Sequence, residues 1–165
     1  MKDILFLGGS GFLGRALIRH FASLGHRTHA LVRSEASGEK VRSASPGSEI
    51  IFEQDLGGRR FDQVFNLVVD YGRSNPGLAA LVRTNVDYPL GIIERVECDG
   101  VINVSTALPE DYSDYAASKR QLERALVGLP GRRPVRCLNV HLHNMYGPGS
   151  DSSNLVTFLI SKMLT

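Results

Sequence analysis

The sequence predicts an α/β fold, a doubly wound parallel sheet, and residues 1–165 are expected to form one domain. Two patterns and one motif point there. Apolar runs of strand length alternate with helical patterns from one end of the chain to the other. The strand-length runs are continuous rather than alternating, as in Ile4-Leu5-Phe6-Leu7, which suits strands covered on both faces. That first run leads into Gly8-Gly9-Ser10-Gly11-Phe12-Leu13-Gly14, and a helix follows directly. No internal repeat and no low-complexity tract competes with this reading.

The helix after the glycines carries Phe12, Leu13, Ala16, Leu17, Phe21 and Leu24 on one face, and Gly25 stops it. Residues 28–32 form the second strand. Residues 34–48, rich in Ser, Gly, Glu and Lys with a Pro46-Gly47 turn, read as a variable surface loop holding at most a poor short helix. A third strand is predicted over 49–54, ending in Asp55-Leu56, and a fourth over 64–69 after the loop Gly57-Gly58-Arg59-Arg60. A loop over 71–76 precedes a helical pattern over 78–97, in which Pro89 predicts a break or kink. Asn85 lies in that pattern, where asparagine is otherwise unfavourable. The fifth strand covers 101–104, with Ser105-Thr106 at its end, and the next helix runs from Tyr115 to Val127 before Gly128. A sixth strand over 135–142 follows Pro134. Then come the turn-rich Asn144-Met145-Tyr146-Gly147-Pro148-Gly149 and a last helix over 155–164.

Composition narrows the class. With 42% hydrophobic and 22% charged residues the chain can build a sizeable core, and a net charge of +2 singles out no partner. No basic run is long enough for a nucleic-acid surface, and Arg132-Arg133 reads as part of a solvated loop. Cys98 and Cys137 make no disulfide framework and read as small buried hydrophobes of a reducing compartment. The N-terminal apolar run is too short for a signal peptide, and no stretch reaches membrane-span length. The expected location is the cytoplasm, with neither nucleic acid nor membrane as partner and no metal site.

The glycine stretch satisfies G-x-G-x-x-G through Gly9, Gly11 and Gly14, and G-x-x-G-x-x-G through Gly8, Gly11 and Gly14. Such a turn brings backbone close to a pyrophosphate, and the helix start behind it offers unpaired N–H groups and a positive dipole end. The end of the second strand then discriminates between cofactors. Arg33 and Ser34 suit a 2′-phosphate and Arg15 could reach the same place, which favours NADP, whereas Glu35 or Glu39 would instead serve the ribose of NAD. Ligands of such a sheet collect beyond the carboxyl ends of the strands, where the glycine turn, Asp55, the Asp70-Tyr71-Gly72-Arg73 loop and Ser105-Thr106 all fall. Tyr115 and Lys119 share one helix face there. A neighbouring ammonium lowers a tyrosine pKa of about 10, and a hydroxyl from Thr106 or Ser105 can bond the reacting oxygen. The set suits hydride transfer at a carbonyl, with Tyr115 passing the proton.

These residues resemble the N-terminal part of an extended short-chain dehydrogenase/reductase of the NAD-dependent epimerase/dehydratase family. Residues 8–14 match its cofactor turn, Asp55-Leu56 its adenine contact, and Val64-Phe65-Asn66-Leu67 the strand passing under the cofactor. Asn85 matches the helix asparagine, Ser105-Thr106 with Tyr115 and Lys119 the catalytic set, and residues 144–149 the loop after the sixth strand. The resemblance implies a Rossmann-like sheet with Leu67, Val68 and Val69 on the cofactor. It also implies a nucleotide-activated sugar as substrate, near Arg73, Asn144 and Tyr146 and edged by Arg136.

Departures from the family pattern narrow the expectation. The 4,6-dehydratases carry an Asp-Glu pair after the catalytic threonine, whereas Ala107 and Leu108 move no protons, so a ketoreductase or epimerase is expected rather than a dehydratase. Only ten residues separate Ser105 from Tyr115, and Leu7 replaces the threonine that usually opens the glycine motif. Family members continue into a smaller C-terminal domain that holds the nucleotide-sugar and that these residues lack. The chain is therefore expected to be a fragment or natural truncation, to self-associate, or to have its C-terminal face covered by a partner chain or its own last helix. The alternative is a non-catalytic dinucleotide-binding module acting through a partner.

Overall fold

The computed structural model describes residues 1–74, 77–129, 134–147, 149–150 and 155–163. Asn75-Pro76 of the fourth loop, Arg132-Arg133, Pro148 and the last residue of the predicted terminal helix lie outside the described residues. Six parallel strands, β1 (Asp3–Leu7), β2 (Arg27–Val32), β3 (Glu49–Phe52), β4 (Arg60–Asn66), β5 (Glu97–Thr106) and β6 (Arg136–Leu142), form one sheet in the order β3-β2-β1-β4-β5-β6. The order reverses between β1 and β4, so the crevice above those two strands is the switch point.

Helices cover both faces, as the continuous apolar runs require. On one face α1 (Phe12–Ser23) and α2 (Glu35–Ala44) bring Ile18 and Val41 onto Ile4, Phe6, Ala30, Val32 and Phe65. On the other, α4 (Tyr88–Arg95) and α5 (Asp114–Val127) bring Ile92, Ile93, Leu122 and Leu126 onto Leu5, Leu7, Leu31, Val64 and Val101. Each such leucine or isoleucine contributes about 1.5–3 kcal/mol by leaving water. Leu138 on the edge strand β6 and Phe158, Leu159 and Ile160 on α6 (Leu155–Met163) remain about half exposed. No helix among the described residues is long and apolar enough to cross a membrane.

Several boundaries differ from expectation. Residues 34–48 are mostly helix, not loop: Ser34 caps α2 by accepting from Ser37 N, Glu35 and Glu39 pair with Arg42, and buried Gly38 lets the helix approach Ile50. β4 starts earlier and ends at Asn66, whose Oδ1 accepts from Val68 N and turns the chain out of the sheet. β5 starts at Glu97 rather than 101. Pro89 causes no break, because a π-helical turn, Arg83–Asp87, joins α3 (Leu78–Val82) to α4 and leaves Pro89 in the first turn of α4. That position tolerates a residue without an N–H. Arg136 pairs in register with Gly100 at the amino end of β6, so it lies at the opposite end of the sheet from the predicted substrate edge.

Candidate active site

The glycine turn leaves β1 with Gly8 at φ +79°, and the Gly11 N–H donates to the Gly8 carbonyl at 3.1 Å. A Cβ on Gly8 would lie 2.9 Å from the Leu67 backbone, and one on Gly14 would lie 2.6 Å from the Gly8 oxygen and the Gly9 Cα. Both positions therefore require glycine, one for conformation and contact, the other for helix-on-strand approach. The helix start behind the turn has no side-chain cap, and the first turn of α1 holds no acidic residue. Its N–H groups are left for an anion. Arg15 adds positive charge, its guanidinium bracing the turn through a 2.8 Å bond to the Ser10 carbonyl. Ser10, Phe12 and Leu13 are half-buried along the same wall. The loop after β6 passes over it, since a Cβ on Gly147 would stand 3.7 Å from the Phe12 ring. Within that loop Asn144 and Tyr146 are exposed.

Beyond β2, Arg33 is exposed, while Ser34 is occupied as the helix cap. Asp55 is exposed at the end of the 3-10 turn Glu53–Asp55, with Leu56 buried beneath it. At the exit of β4, Leu67 and Val68 are half-buried and Val69 is exposed. Fully buried Asn85 holds this exit: its Oδ1 accepts from Asp70 N at 2.7 Å, and its Nδ2 donates to the Asp70 carbonyl at 2.9 Å and to Ser118 Oγ at 3.0 Å. A second amide chain crosses the sheet beneath, from Asn66 to Asn103 to Asn139, each bond 2.8 Å.

The chemistry-bearing groups converge on α5. Ser113 caps that helix by accepting from Ala116 N at 3.2 Å, which puts Tyr115 in its first turn and Lys119 one turn on. The Thr106 side chain, at the end of β5, stands near enough to the Tyr115 hydroxyl to lower its pKa. Burial nevertheless raises the Tyr115 phenol above the ordinary tyrosine value, against the lowering effect of Thr106. The expected depression by Lys119 is thus not what sets the direction. Lys119 is itself buried, donates to the Val68 carbonyl at 3.4 Å, and is drawn down to about 8 by burial, with Glu123 pulling the other way. The Tyr71 ring lies 5.3 Å from that of Tyr115, and the Arg73 guanidinium sits 5.3 Å over Tyr71. A pocket of about 180 Å³ opens between Tyr71, Gly72, Leu81, Ser113, Asp114 and Tyr115. A larger hollow of about 430 Å³, between Arg60, Glu97, Cys98, Asp99 and Pro134, is at the other end of the sheet and gathers none of these groups.

Ser105 does not join Thr106 and Tyr115. Neighbours on a strand face opposite ways, and the Ser105 hydroxyl donates instead to the Glu123 carboxylate on α5. Sequence reasoning placed Tyr71 only as part of its loop and passed over Ser118, Arg120 and Glu123. For Glu123 the signal was available, four residues after Lys119 and so on the same helix face.

A glycine cradle at a helix start, at the switch point of a parallel sheet and beside a Thr-Tyr-Lys set, defines a Rossmann-like α/β domain. The model of the NAD dependent epimerase/dehydratase family matches residues 4–165, and the chain belongs to that family. Its fold is similar to that of UDP-glucose 4-epimerase from the hyperthermophilic eubacterium Thermotoga maritima, solved with UDP-glucose. The TM-score is 0.79, at 20% identity over 98% of this chain and 63% of that one. It is also similar to TunA, an NAD-dependent NDP-hexosamine 5,6-dehydratase of tunicamycin biosynthesis, with a TM-score of 0.71 and 25% identity over 100% of this chain and 62% of that one. A third likeness is RhlG of Pseudomonas aeruginosa in its NADP complex, with a TM-score of 0.72 and 17% identity over 98% and 76% of the two chains. The chain thus spans less than two thirds of the length of the first two.

Proposed function

We propose that this chain is the cofactor-binding and catalytic part of an NAD(P)-dependent oxidoreductase or epimerase acting on a nucleotide-activated sugar. The observation that carries this reading is the juxtaposition of Thr106 and Tyr115 with Lys119 one helical turn away, at the carboxyl end of the sheet where the glycine cradle lies. Residues 8–15 fit a pyrophosphate, with Asp55, the β4 exit and Lys119 toward the rest of the cofactor. The cofactor, when bound, supplies or takes the hydride. Tyr115 passes the proton at the substrate oxygen, Thr106 donates a hydrogen bond to the same oxygen, and protonated Lys119 favours the phenolate. NADP is favoured over NAD, because Arg33 is exposed at the end of β2 while Glu35 and Glu39 both pair with Arg42. Ala107 and Leu108 offer no acid or base, which favours reduction or epimerisation over elimination of water.

The test is turnover of UDP-activated hexoses and their 4-keto forms by the purified protein with NADP(H) or NAD(H), followed by cofactor absorbance and product analysis. Turnover in the wild type and its loss in Tyr115→Phe, with cofactor binding retained, is the expected result. Cofactor binding with no turnover of any such sugar would favour a binding module instead.

A further inference from the structure

One polar cluster lies beside Thr106, where Ser105 of β5 meets α5 further along the helix than Tyr115. Glu123, on α5 one turn beyond Lys119, has its side chain only 15% exposed. It accepts the Ser105 hydroxyl and two bonds from Arg120, at 2.8 and 3.0 Å, and His141 Nε2 lies 3.1 Å from Oε1. Arg120 reaches on to the Leu108 carbonyl at 3.1 Å and to His141 Nε2 at 2.8 Å. The Leu108 N–H in turn donates to Thr106 Oγ1 at 3.2 Å. The residue before Thr106 and the turn after it are therefore fixed to a single ion pair. That ion pair rides on the helix that carries Tyr115 and Lys119.

We propose that the Glu123–Arg120 pair is the positioning device of the reacting set, holding the Thr106 turn at its distance from Tyr115 and placing a carboxylate one helical turn from Lys119. The proposal rests on the reading of Thr106, Tyr115 and Lys119 as that set. Glu123 and Arg120 bond Ser105, His141 and the Leu108 carbonyl rather than Thr106 or Tyr115, so both act through other residues. A carboxylate that accepts from a hydroxyl and twice from a guanidinium is locked in place, and a misplacement of about 1 Å in such a set costs on the order of 100-fold in rate. The electrostatics agree in direction. Hydrogen bonds from Ser105 and Arg120 hold Glu123 below the ordinary carboxylate range despite its burial, and the resulting charge opposes the lowering of Lys119 by burial. The charged and titratable groups around this cluster are Arg120, Arg124 and Lys119 on α5, His141 on β6, and Glu110, which pairs with Arg124.

Two measurements on the wild type, Glu123→Gln and Glu123→Ala test this. The first is steady-state kinetics, with kcat expected to fall about 10- to 100-fold while KM and cofactor Kd stay within about twofold, the smaller loss in Glu123→Gln. The second is an NMR pH titration of the Lys119 ammonium in ¹⁵N-lysine-labelled protein, which needs no substrate; the other lysines are Lys2, Lys40 and Lys162. Loss of the carboxylate charge disfavours the ammonium, so the Lys119 midpoint is expected to fall by about 0.5 to 1 pH unit in Glu123→Gln. The alkaline limb of kcat is expected to move with it. A lowered melting temperature with unchanged kcat and an unmoved Lys119 midpoint would overturn the proposal. A wild type without turnover would overturn the reading of the reaction, and the Lys119 titration would then decide the placement of Glu123 by itself.

Discussion

The two ends of the sheet are both polar, but they are built differently. At the amino end Asp3, His29, Glu49, Arg27 and Arg59 form one chain of polar contacts. Buried His29 sits between Glu49, 2.7 Å from Nδ1, and Asp3, 3.0 Å from Nε2. Arg59 makes two 2.8 Å bonds to Glu49, and Arg27 pairs with Asp3. At the carboxyl end Lys119 is buried on a backbone carbonyl, the Tyr115 hydroxyl meets a neutral threonine, and the helix start carries no cap. A closed set of charges ties strands together. An open set, costly to keep inside a protein, points to work done on something else.

Breaking the reacting groups of the open end should affect activity far more than stability. The largest effect is expected from Tyr115→Phe, which removes the proposed proton carrier and should lower kcat about 100- to 10,000-fold. Its melting curve and cofactor affinity should match the wild type; a variant with wild-type kcat would remove Tyr115 from the mechanism. Asn85→Ala comes next, because it takes away three buried hydrogen bonds that join the β4 exit to α5. Leaving the Asp70 backbone groups unmet should cost about 1–3 kcal/mol in a denaturant titration. Arg33→Asp should reverse the cofactor preference, read as the ratio of NADP to NAD dissociation constants, by about tenfold or more.

The smallest effect belongs to the closed end. The Arg59 guanidinium holds the Glu49 carboxyl at about 2, below the usual 4.5. A depressed folded value stabilises above the unfolded pKa and is lost as pH falls, so the contribution is full above about 4.5 and fades toward about 2. Glu49 is half exposed, and solvent screening keeps its worth within about 1 kcal/mol. Glu49→Gln should lower the melting temperature by only a few degrees at neutral pH. The gap to the wild type should close as pH falls through that window, with activity untouched.

How much of this was legible in the sequence follows from which forces are local. The glycine turn, β1 and α1 were readable because pattern, stop residue and motif all lie within the first 25 residues. α2 was hidden, because its Ser, Gly, Glu and Lys composition reads as loop. What holds it is an Arg42 ion-pair cluster and the packing of Gly38 on Ile50. The starts of β4 and β5 were hidden for a related reason: Arg60, Glu97 and Asp99 look solvated, yet they pair with one another across the strands. Tyr115 and Lys119 lie one turn apart on α5, as their spacing predicts, and Thr106 ends β5, as its place after an apolar run predicts. Ser105 and Arg136 could have been placed from the sequence by rules that went unapplied. Alternation turns Ser105 away from Thr106, and a residue that opens a parallel strand lies at the far end from one that closes it.

The most direct test is a calorimetric titration of NADP(H) and NAD(H) into the wild type, Gly8→Ala and Glu49→Gln. Wild-type binding with a Kd on the order of micromolar and an NADP preference is the expected result. Gly8→Ala should weaken it at least about tenfold, because alanine there is strained at φ +79° and meets the Leu67 backbone. Glu49→Gln should leave it unchanged. Absence of binding by either cofactor, or equal binding by Gly8→Ala, would contradict the assignment of the carboxyl end as the working end of the sheet.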